Sequence, residues 1–138
     1  MQIKFKKVVP EAVVPKQGTE YSAGYDLTAV SVTYLPSGHI KYGTGIAVEI
    51  PKGYVGLLFP RSSVYKTGTM LANSVGVIDA DYRGEISVIF NHCSERSYQV
   101  GDRVAQLIIM PYPSITYIEV DELSATERGN GSYGSTGK

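Results

Sequence analysis

The chain of 138 residues has few of the residues that disulfides and metal sites require. Its single cysteine, Cys93, excludes an intrachain disulfide. Tryptophan is absent, and the two histidines, His39 and His92, stand alone in the sequence. With Cys93 they do not make a convincing zinc set, so we interpret all three as structural or surface positions. The length corresponds to one domain that is large enough to bury a core.

The chain also lacks a surplus of charge and a long apolar run. Thirteen basic residues balance thirteen acidic ones, so the positive excess expected of a protein that binds long nucleic acids is missing. A small anionic ligand would need only a local patch. Residues 1–10 carry charge without a following apolar stretch, and no segment approaches the roughly 18 apolar residues of a membrane span. We therefore expect a soluble, intracellular protein, cytoplasmic by default, with no nucleic-acid or membrane partner.

The sequence does contain a hydrophobic period of two. Ile46, Val48 and Ile50 alternate with other residues in 45–50, and the same pattern recurs in 85–90. Turn residues separate these segments at short intervals, which predicts an all-β sandwich or closed β architecture. One short helical turn is expected at 62–67, with a serine as cap and Gly68 at its end. Further strand candidates are 2–9, 31–35, 54–59 and 103–110.

The last eleven residues, 128–138, are rich in glycine and cannot form a helix or a central strand. An arginine, an aromatic ring and two hydroxyls lie among these glycines, which suits a flap over a phosphorylated base. The alternative is a disordered tail or a cloning remnant. The side chains concerned are Arg128, Tyr133, Ser135 and Thr136.

Residues 76–85 place two aspartates and a tyrosine in a turn between apolar runs. Asp79 directly follows an apolar pair and could act as a general base toward water. Alternatively it accepts backbone N–H bonds within the turn, the role we assign to Asp81. Tyr82 is open to a second interpretation as a half-buried packing residue.

A phosphate-binding set precedes this turn. Arg61, Ser62 and Ser63 supply a guanidinium and two hydroxyls beside a possible helix start, although a loop with a helix cap would look the same. Gln106 is a polar residue in an apolar run and could be a satisfied core amide. Asp26, in 23–27, could serve only structural hydrogen bonds.

Taken in order, five segments resemble the five motifs of the homotrimeric dUTPase family. Each motif is weak alone, but their order and spacing cover nearly the whole chain. The segments are 23–27, 60–63, 76–85, 101–108 and 128–137.

This resemblance implies a β jelly roll that assembles as a homotrimer, with three active sites at subunit boundaries. Residues 1–127 would form the domain, and residues 128–138 a flexible flap that completes the site. The family hydrolyses dUTP to dUMP and pyrophosphate, which limits uracil in DNA and supplies dUMP for thymidylate synthesis. Asp79 matches the aspartate that deprotonates the attacking water. Mg²⁺ would bridge the phosphates, and Asp26 would hold it indirectly, through water.

The same resemblance assigns the remaining contacts to substrate. The uracil hairpin begins at Asn73, and its main-chain groups imitate a complementary base. Tyr82 packs under deoxyribose, and Tyr133 caps the uracil. The phosphate contacts or their supports are Arg61, Ser62, Ser63 and Gln106, with Arg128, Gly134, Ser135 and Thr136 from the tail; the hairpin contacts include Gly76, Val77 and Ile78.

Three positions depart from the commonest family pattern. Tyr133 stands where phenylalanine is more usual, Ser132 where the tail more often has glycine, and Ser63 where glycine frequently follows Arg-Ser. Ser132 is tolerable only if that position does not require positive φ.

Two alternatives share the fold. The related dCTP deaminases carry a Ser-Ser pair, but they need a glutamate in the strand after the aspartate turn, and 86–90 offers none. Lys66 stands about where they use arginine. The other alternative is a nucleotide-binding regulator on the same trimer.

Overall fold

The computed structural model describes residues 1–91 and 96–137. His92 and Cys93 lie outside the described residues, as does the last residue of the glycine-rich end. The described chain forms eleven strands and one short 3-10 helix, Ser62–Lys66. The strands are β1 Lys4–Lys7, β2 Lys16–Gln17, β3 Tyr25–Thr28, β4 Ser31–Tyr34, β5 His39–Gly43, β6 Ile46–Glu49, β7 Tyr54–Phe59, β8 Met70–Leu71, β9 Gly76–Ile78, β10 Ser87–Asn91 and β11 Arg103–Pro111.

The strands form three antiparallel sheets. The largest has the order β2-β3-β11-β7-β9, the second has the order β4-β5-β10-β8, and β1 pairs with β6. All three contribute side chains to one apolar core. This antiparallel, layered arrangement is jelly-roll-like, so the predicted all-β class is confirmed.

Alternating burial follows the predicted period of two. Val88 and Phe90 of β10 are buried, whereas Ile89 between them is 36% exposed. Ile46, Val48 and Ile50 are likewise buried. The predicted strand 54–59 matches β7, and the other predicted strands overlap observed ones with ends shifted by up to two residues.

Five strands were not predicted from the sequence. They are short or polar, and their pairing depends on partners distant in the chain rather than on local pattern. The predicted helical turn exists, but it is 3-10, and its cap is Arg61, without a side-chain hydrogen bond. The predicted serine cap is therefore wrong, because Ser62 is already the first helical residue. The unpredicted strands are Lys16–Gln17, Tyr25–Thr28, His39–Gly43, Met70–Leu71 and Gly76–Ile78.

Three aromatic rings fill one end of the core. Tyr42, Phe90 and Tyr98 have pairwise centroid distances of 5.6–6.1 Å. The Tyr42 hydroxyl donates to the Tyr98 carbonyl at 2.9 Å, which satisfies a buried polar pair. Burial raises the pKa of Tyr42. In the ranges that the structure describes, no helix has the length and apolar character to cross a membrane.

Candidate active site

A β-bulge in β11 brings two polar side chains to one face of the large sheet. The pairing of β11 with β3 shifts between Arg103 and Ala105, so Arg103 faces Thr28 while Gln106 faces Asp26. Directly opposed residues of antiparallel strands project to the same face, as do residues two apart within a strand. Without the extra residue, two side chains three positions apart would point to opposite faces. The bulge therefore puts Arg103 and Gln106 on the same side as Asp26.

Two guanidinium groups share the carboxylate of Asp26. Arg61 Nε lies 2.9 Å from Oδ1, and Arg103 Nη1 lies 3.0 Å from Oδ2. The Asp26 side chain is 14% exposed, so solvent screens this network less than it would a surface pair. Arg61 also approaches the Ser63 hydroxyl, with Nη1 at 3.4 Å from Oγ. The structure thus places three of the predicted residues together and adds Arg103.

These arginines open onto a cleft of about 370 Å³, which we call the cationic cleft. With Lys66 they give it three positive charges, and among the described residues one carboxylate, Asp102, lines it. An excess of cations with hydroxyl donors suits a phosphorylated ligand. The lining residues are Arg61, Ser63, Lys66, Thr67, Ser97, Tyr98, Gly101, Asp102 and Arg103.

Gln106 holds the backbone just before Arg61. Its Nε2 donates to the Pro60 carbonyl at 3.0 Å, directly before Arg61. A Cβ on Gly24 would overlap the Gln106 side chain, so only glycine allows this close approach. The amide is partly buried and hydrogen-bonded, as the interpretation of Gln106 as a satisfied amide expects.

A second cleft, the hairpin cleft, lies beside β9 and β10 and has a volume of about 440 Å³. Four residues predicted to contact a base line it: Asn73, Gly76, Val77 and Ile78. Strand β9 pairs with β7 and is the last strand of its sheet, so one backbone edge of β9 has no strand partner in the described chain. Such an edge offers N–H and C=O groups to a ligand.

The turn after β9 carries the predicted base. Asp79 is exposed, and its carbonyl accepts the Tyr82 N–H at 3.1 Å. The Tyr82 hydroxyl donates to the Glu85 carbonyl at 2.9 Å, which closes the turn on itself. Tyr82 is 44% exposed, so its ring is available to a ligand as well as packed over Gly84.

Glu85 ties this turn to the neighbouring loop. Its carboxylate accepts the Gly45 N–H at 2.7 Å, and the adjacent Ile86 N–H donates to the Ile46 carbonyl at 2.8 Å. A Cβ on Gly43 would lie 2.7 Å from the same carboxylate oxygen, so Gly43 leaves room for Glu85. The Glu85 side chain and the Ile86 main chain therefore both anchor the base of the hairpin.

Glu85→Ala is expected to lower the free energy of unfolding by about 1–2 kcal/mol, because it removes a charge-assisted hydrogen bond and leaves the Gly45 N–H unpaired. Glu85→Gln keeps an acceptor and should recover much of the loss. Urea denaturation of the three proteins measures this difference. Equal midpoints for the alanine variant and the parent chain would show that the carboxylate does not anchor the turn.

The two clefts lie apart within one chain. Ile78, one residue before Asp79, pairs with Gly56, whereas Arg61 follows the other end of the same strand. Gly56 and the last residue of β7, Phe59, are three residues apart, about 10 Å of extended strand, and Arg61 lies two residues further along the chain. The clefts also share no lining residue. Within one chain, Asp79 therefore follows a residue of the hairpin cleft, whereas Arg61 lines the cationic cleft.

The hydrogen bonds of the described tail residues, 128–137, are local. Arg128 Nε donates to the Gly131 carbonyl at 3.0 Å, and none of residues 128–137 lines either cleft. Tyr133 is fully exposed and has a φ of 39°, which is uncommon for a residue with a side chain. Ser132 is not among the residues with positive φ, so serine is tolerated there. The other predicted tail residues, Gly134, Ser135 and Thr136, are also exposed.

Sequence reasoning assigned no role to Arg103, Glu85 or Tyr98. The bulge that aims Arg103 and the loop contact of Glu85 both depend on long-range pairing. The sequence indicated a role for Arg103 and Glu85 only in that both lie within the motif segments.

The fold and the two clefts define a protein of the jelly-roll class that is built to hold a small phosphorylated ligand. The chain belongs to the dUTPase family, whose model matches residues 10–137. A deoxyuridine 5'-triphosphate nucleotidohydrolase of Nautilia profundicola is 42% identical over 142 aligned positions that cover both chains completely.

Solved structures agree with this membership. The dUTPase of Staphylococcus bacteriophage 80alpha with dUPNHPP has a TM-score of 0.85 and 28% identity, and the match covers 99% of each chain. A mutant dUTPase from phage phi11 of S. aureus, described for its coordination of a structural Mg(II) ion, has a TM-score of 0.74 and 25% identity. That match covers 88% of this chain and 98% of the other.

Proposed function

We propose that this protein is a dUTP diphosphatase that hydrolyses dUTP to dUMP and pyrophosphate. The observation that carries the proposal is the junction of β9 and its turn, where an open backbone edge is followed directly by Asp79. A base bound along that edge would lie next to the carboxylate that serves its own phosphate chain. Membership in the dUTPase family supports the same activity.

The hairpin cleft would select the base and the sugar. Main-chain N–H and C=O groups of Gly76–Ile78 have fixed directions, so they would reject the reversed donor and acceptor pattern of cytosine. Asn73 lies at the mouth of the same cleft. Tyr82 would pack under deoxyribose, where a 2′-hydroxyl would clash.

The cationic cleft would hold the phosphates. Arg61, Ser62 and Ser63 would contact phosphate oxygens, Gln106 would brace Arg61 through Pro60, and Arg128, Gly134, Ser135 and Thr136 would close over the far end. Asp79 would orient a water molecule and accept its proton during attack on the α-phosphorus. Tyr133 would stack on the uracil.

The described residues fit a magnesium ion that travels with the substrate. No three His, Cys, Asp or Glu side chains in 1–91 and 96–137 come together as a metal cage. Mg²⁺ commonly uses one carboxylate, several waters and the substrate phosphates, and Asp26 can reach such waters with its remaining lone pairs. Bound Mg²⁺ would neutralise phosphate charge and fix the geometry of the chain.

Assembly as a homotrimer with shared sites is part of the proposal. Asp79 follows a residue of the hairpin cleft and Arg61 lines the cationic cleft, so a site that uses both groups would combine these clefts from two copies of the chain. Residues 112–126 form no helix or strand, yet they expose Ile115, Tyr117, Ile118 and Leu123 by 65–92%. An open apolar cleft of about 410 Å³ beside β1 and β11 is a matching surface. Apolar residues exposed in this number commonly mark an interface.

The deaminase alternative is weaker because its glutamate is missing. Strand β10, Ser87–Asn91, contains none, and the nearest one, Glu85, is bound to the Gly45 N–H. A nucleotide-binding regulator would keep the clefts but not turn over substrate. The cytoplasmic location stays a prediction from the sequence.

The test is pyrophosphate release from dUTP, dCTP, dTTP and UTP with Mg²⁺, with the nucleobase of each product identified. We expect selective conversion of dUTP to dUMP. Ammonia and a uracil product from dCTP would instead establish a deaminase, and no turnover of any nucleotide would favour the regulator.

A further inference from the structure

Tyr98, which lines the cationic cleft, has a buried hydroxyl without a hydrogen-bond partner in the described residues. The residue is 8% exposed, and its hydroxyl is the only buried side-chain polar atom in the described chain without a hydrogen-bond partner. Burying an unpaired hydroxyl is costly and uncommon in folded proteins, so this group calls for an explanation. The Tyr98 ring is fixed by Tyr42 and Phe90, so the hydroxyl cannot turn away.

The groups around this hydroxyl face the phosphate side of the site. Tyr98 lines the cationic cleft together with Arg61 and Ser63. Burial raises the pKa of Tyr98, while the Ser63 hydroxyl and the Arg61 guanidinium oppose that shift. The Ser63 hydroxyl therefore lies close to the phenol, although the two groups are not aligned as a hydrogen bond in this structure. The hydrogen bond that the structure gives the Ser63 hydroxyl is a long one, at 3.4 Å from Arg61 Nη1. Its hydroxyl is therefore weakly held and can reorient.

We propose that Tyr98 is a positioning residue for Ser63 in nucleotide binding. When a triphosphate enters, the Tyr98 hydroxyl donates to Ser63 Oγ, and the Ser63 hydroxyl donates its proton to a phosphate oxygen. This places a hydrogen bond behind the donor and polarises it toward the anion. The inference rests on the proposed function, since it needs a phosphate chain in the cationic cleft.

The pairing gives a reason for the serine at this position. A glycine at 63 could supply backbone groups but no side-chain hydroxyl for Tyr98. The chain therefore carries the hydroxyl of Ser63 and the hydroxyl of Tyr98 as two parts of one contact.

Tyr98→Phe tests this with an isosteric change. We expect the KM for dUTP to rise about fivefold with kcat within about twofold, the size of effect of one lost hydrogen bond. The Kd for inorganic pyrophosphate, measured by calorimetry, should weaken by a similar factor. The Tm of the ligand-free protein should stay unchanged or rise, because an unsatisfied hydroxyl is removed. A lower Tm would show that the hydroxyl is already bonded and would overturn the proposal.

Ser63→Ala and the double variant complete the cycle. If the two hydroxyls act as one unit, the double variant binds pyrophosphate no more weakly than either single variant. The pairing would be refuted if the losses of pyrophosphate affinity in the two single variants multiplied in the double variant. It would also be refuted if Tyr98→Phe kept the KM and the pyrophosphate Kd of the parent.

Tyr42→Phe is the matched control. It removes a phenol from the same aromatic group but leaves the Tyr98 carbonyl unpaired, so it should lower the Tm without changing the KM. If the parent chain fails to hydrolyse dUTP, the proposed function fails, while the pyrophosphate titrations still decide the role of Tyr98.

Discussion

Asp79→Asn is expected to lower kcat for dUTP about a thousandfold, within the range that loss of a general base produces. Binding of dUTP should change little, because asparagine has the same shape and the hairpin cleft is formed mostly by other residues. Asp79 is exposed and its main-chain carbonyl, not its carboxylate, holds the turn, so the fold should persist. Stopped-flow or single-turnover hydrolysis measures the chemical step, and equilibrium titration with a non-hydrolysable analogue measures binding.

Asp81→Asn provides the matched control. It changes a second exposed carboxylate in the same turn by the same single atom. We expect near-normal turnover from this variant. If Asp79→Asn retained near-normal turnover, or if both variants lost activity equally, the assignment of Asp79 as the base would be wrong.

Truncation after residue 127 is expected to cost about a hundredfold or more in kcat/KM. The deletion removes Arg128 and the tail hydroxyls, which would position the leaving pyrophosphate. It should leave the core intact, because the tail contacts neither cleft and its described hydrogen bonds are local. Kinetics, size-exclusion chromatography with light scattering, and thermal denaturation together separate catalysis from assembly. Loss of the oligomer would show instead that the tail holds subunits together.

Mixing the substituted chain with the truncated chain tests whether each active site is built from more than one subunit. Co-expression of the Asp79→Asn chain with the truncated chain gives mixed oligomers in which one subunit supplies the aspartate and another supplies the tail. If these groups come from different chains, the mixed oligomers regain activity well above that of either impaired parent. A mixed preparation with no more activity than its parents would indicate that both groups act from one chain.

The all-β class and the long strands could be predicted because burial on one face imposes a period of two on the residues themselves. Tyr54–Phe59 shows this directly. The two-residue strands could not, since Lys16–Gln17 and Met70–Leu71 have too few residues to carry a pattern. Their pairing is decided by neighbours that arrive from elsewhere in the chain.

The candidate site also has a part that the sequence could predict and a part that it could not. Motif order indicated Asp79, Arg61 and Gln106, because these residues fall in segments with recognisable turn chemistry. The two-arginine contact of Asp26 was not foreseeable, since it depends on a register that no local pattern encodes. The Tyr98 hydroxyl was hidden for a related reason, because its neighbours belong to three separate segments.

The bulge in β11 also constrains the number of residues that can separate Arg103 from Gln106. Arg103 and Gln106 are an odd number of positions apart, and only the shifted pairing lets both serve one face. Deleting a single residue between them would make the spacing even and remove the need for the shift. Inserting or deleting one residue here changes whether that spacing is odd or even. Chains that differ in length at this point can keep both side chains on one face of the sheet only if the bulge between them is gained or lost.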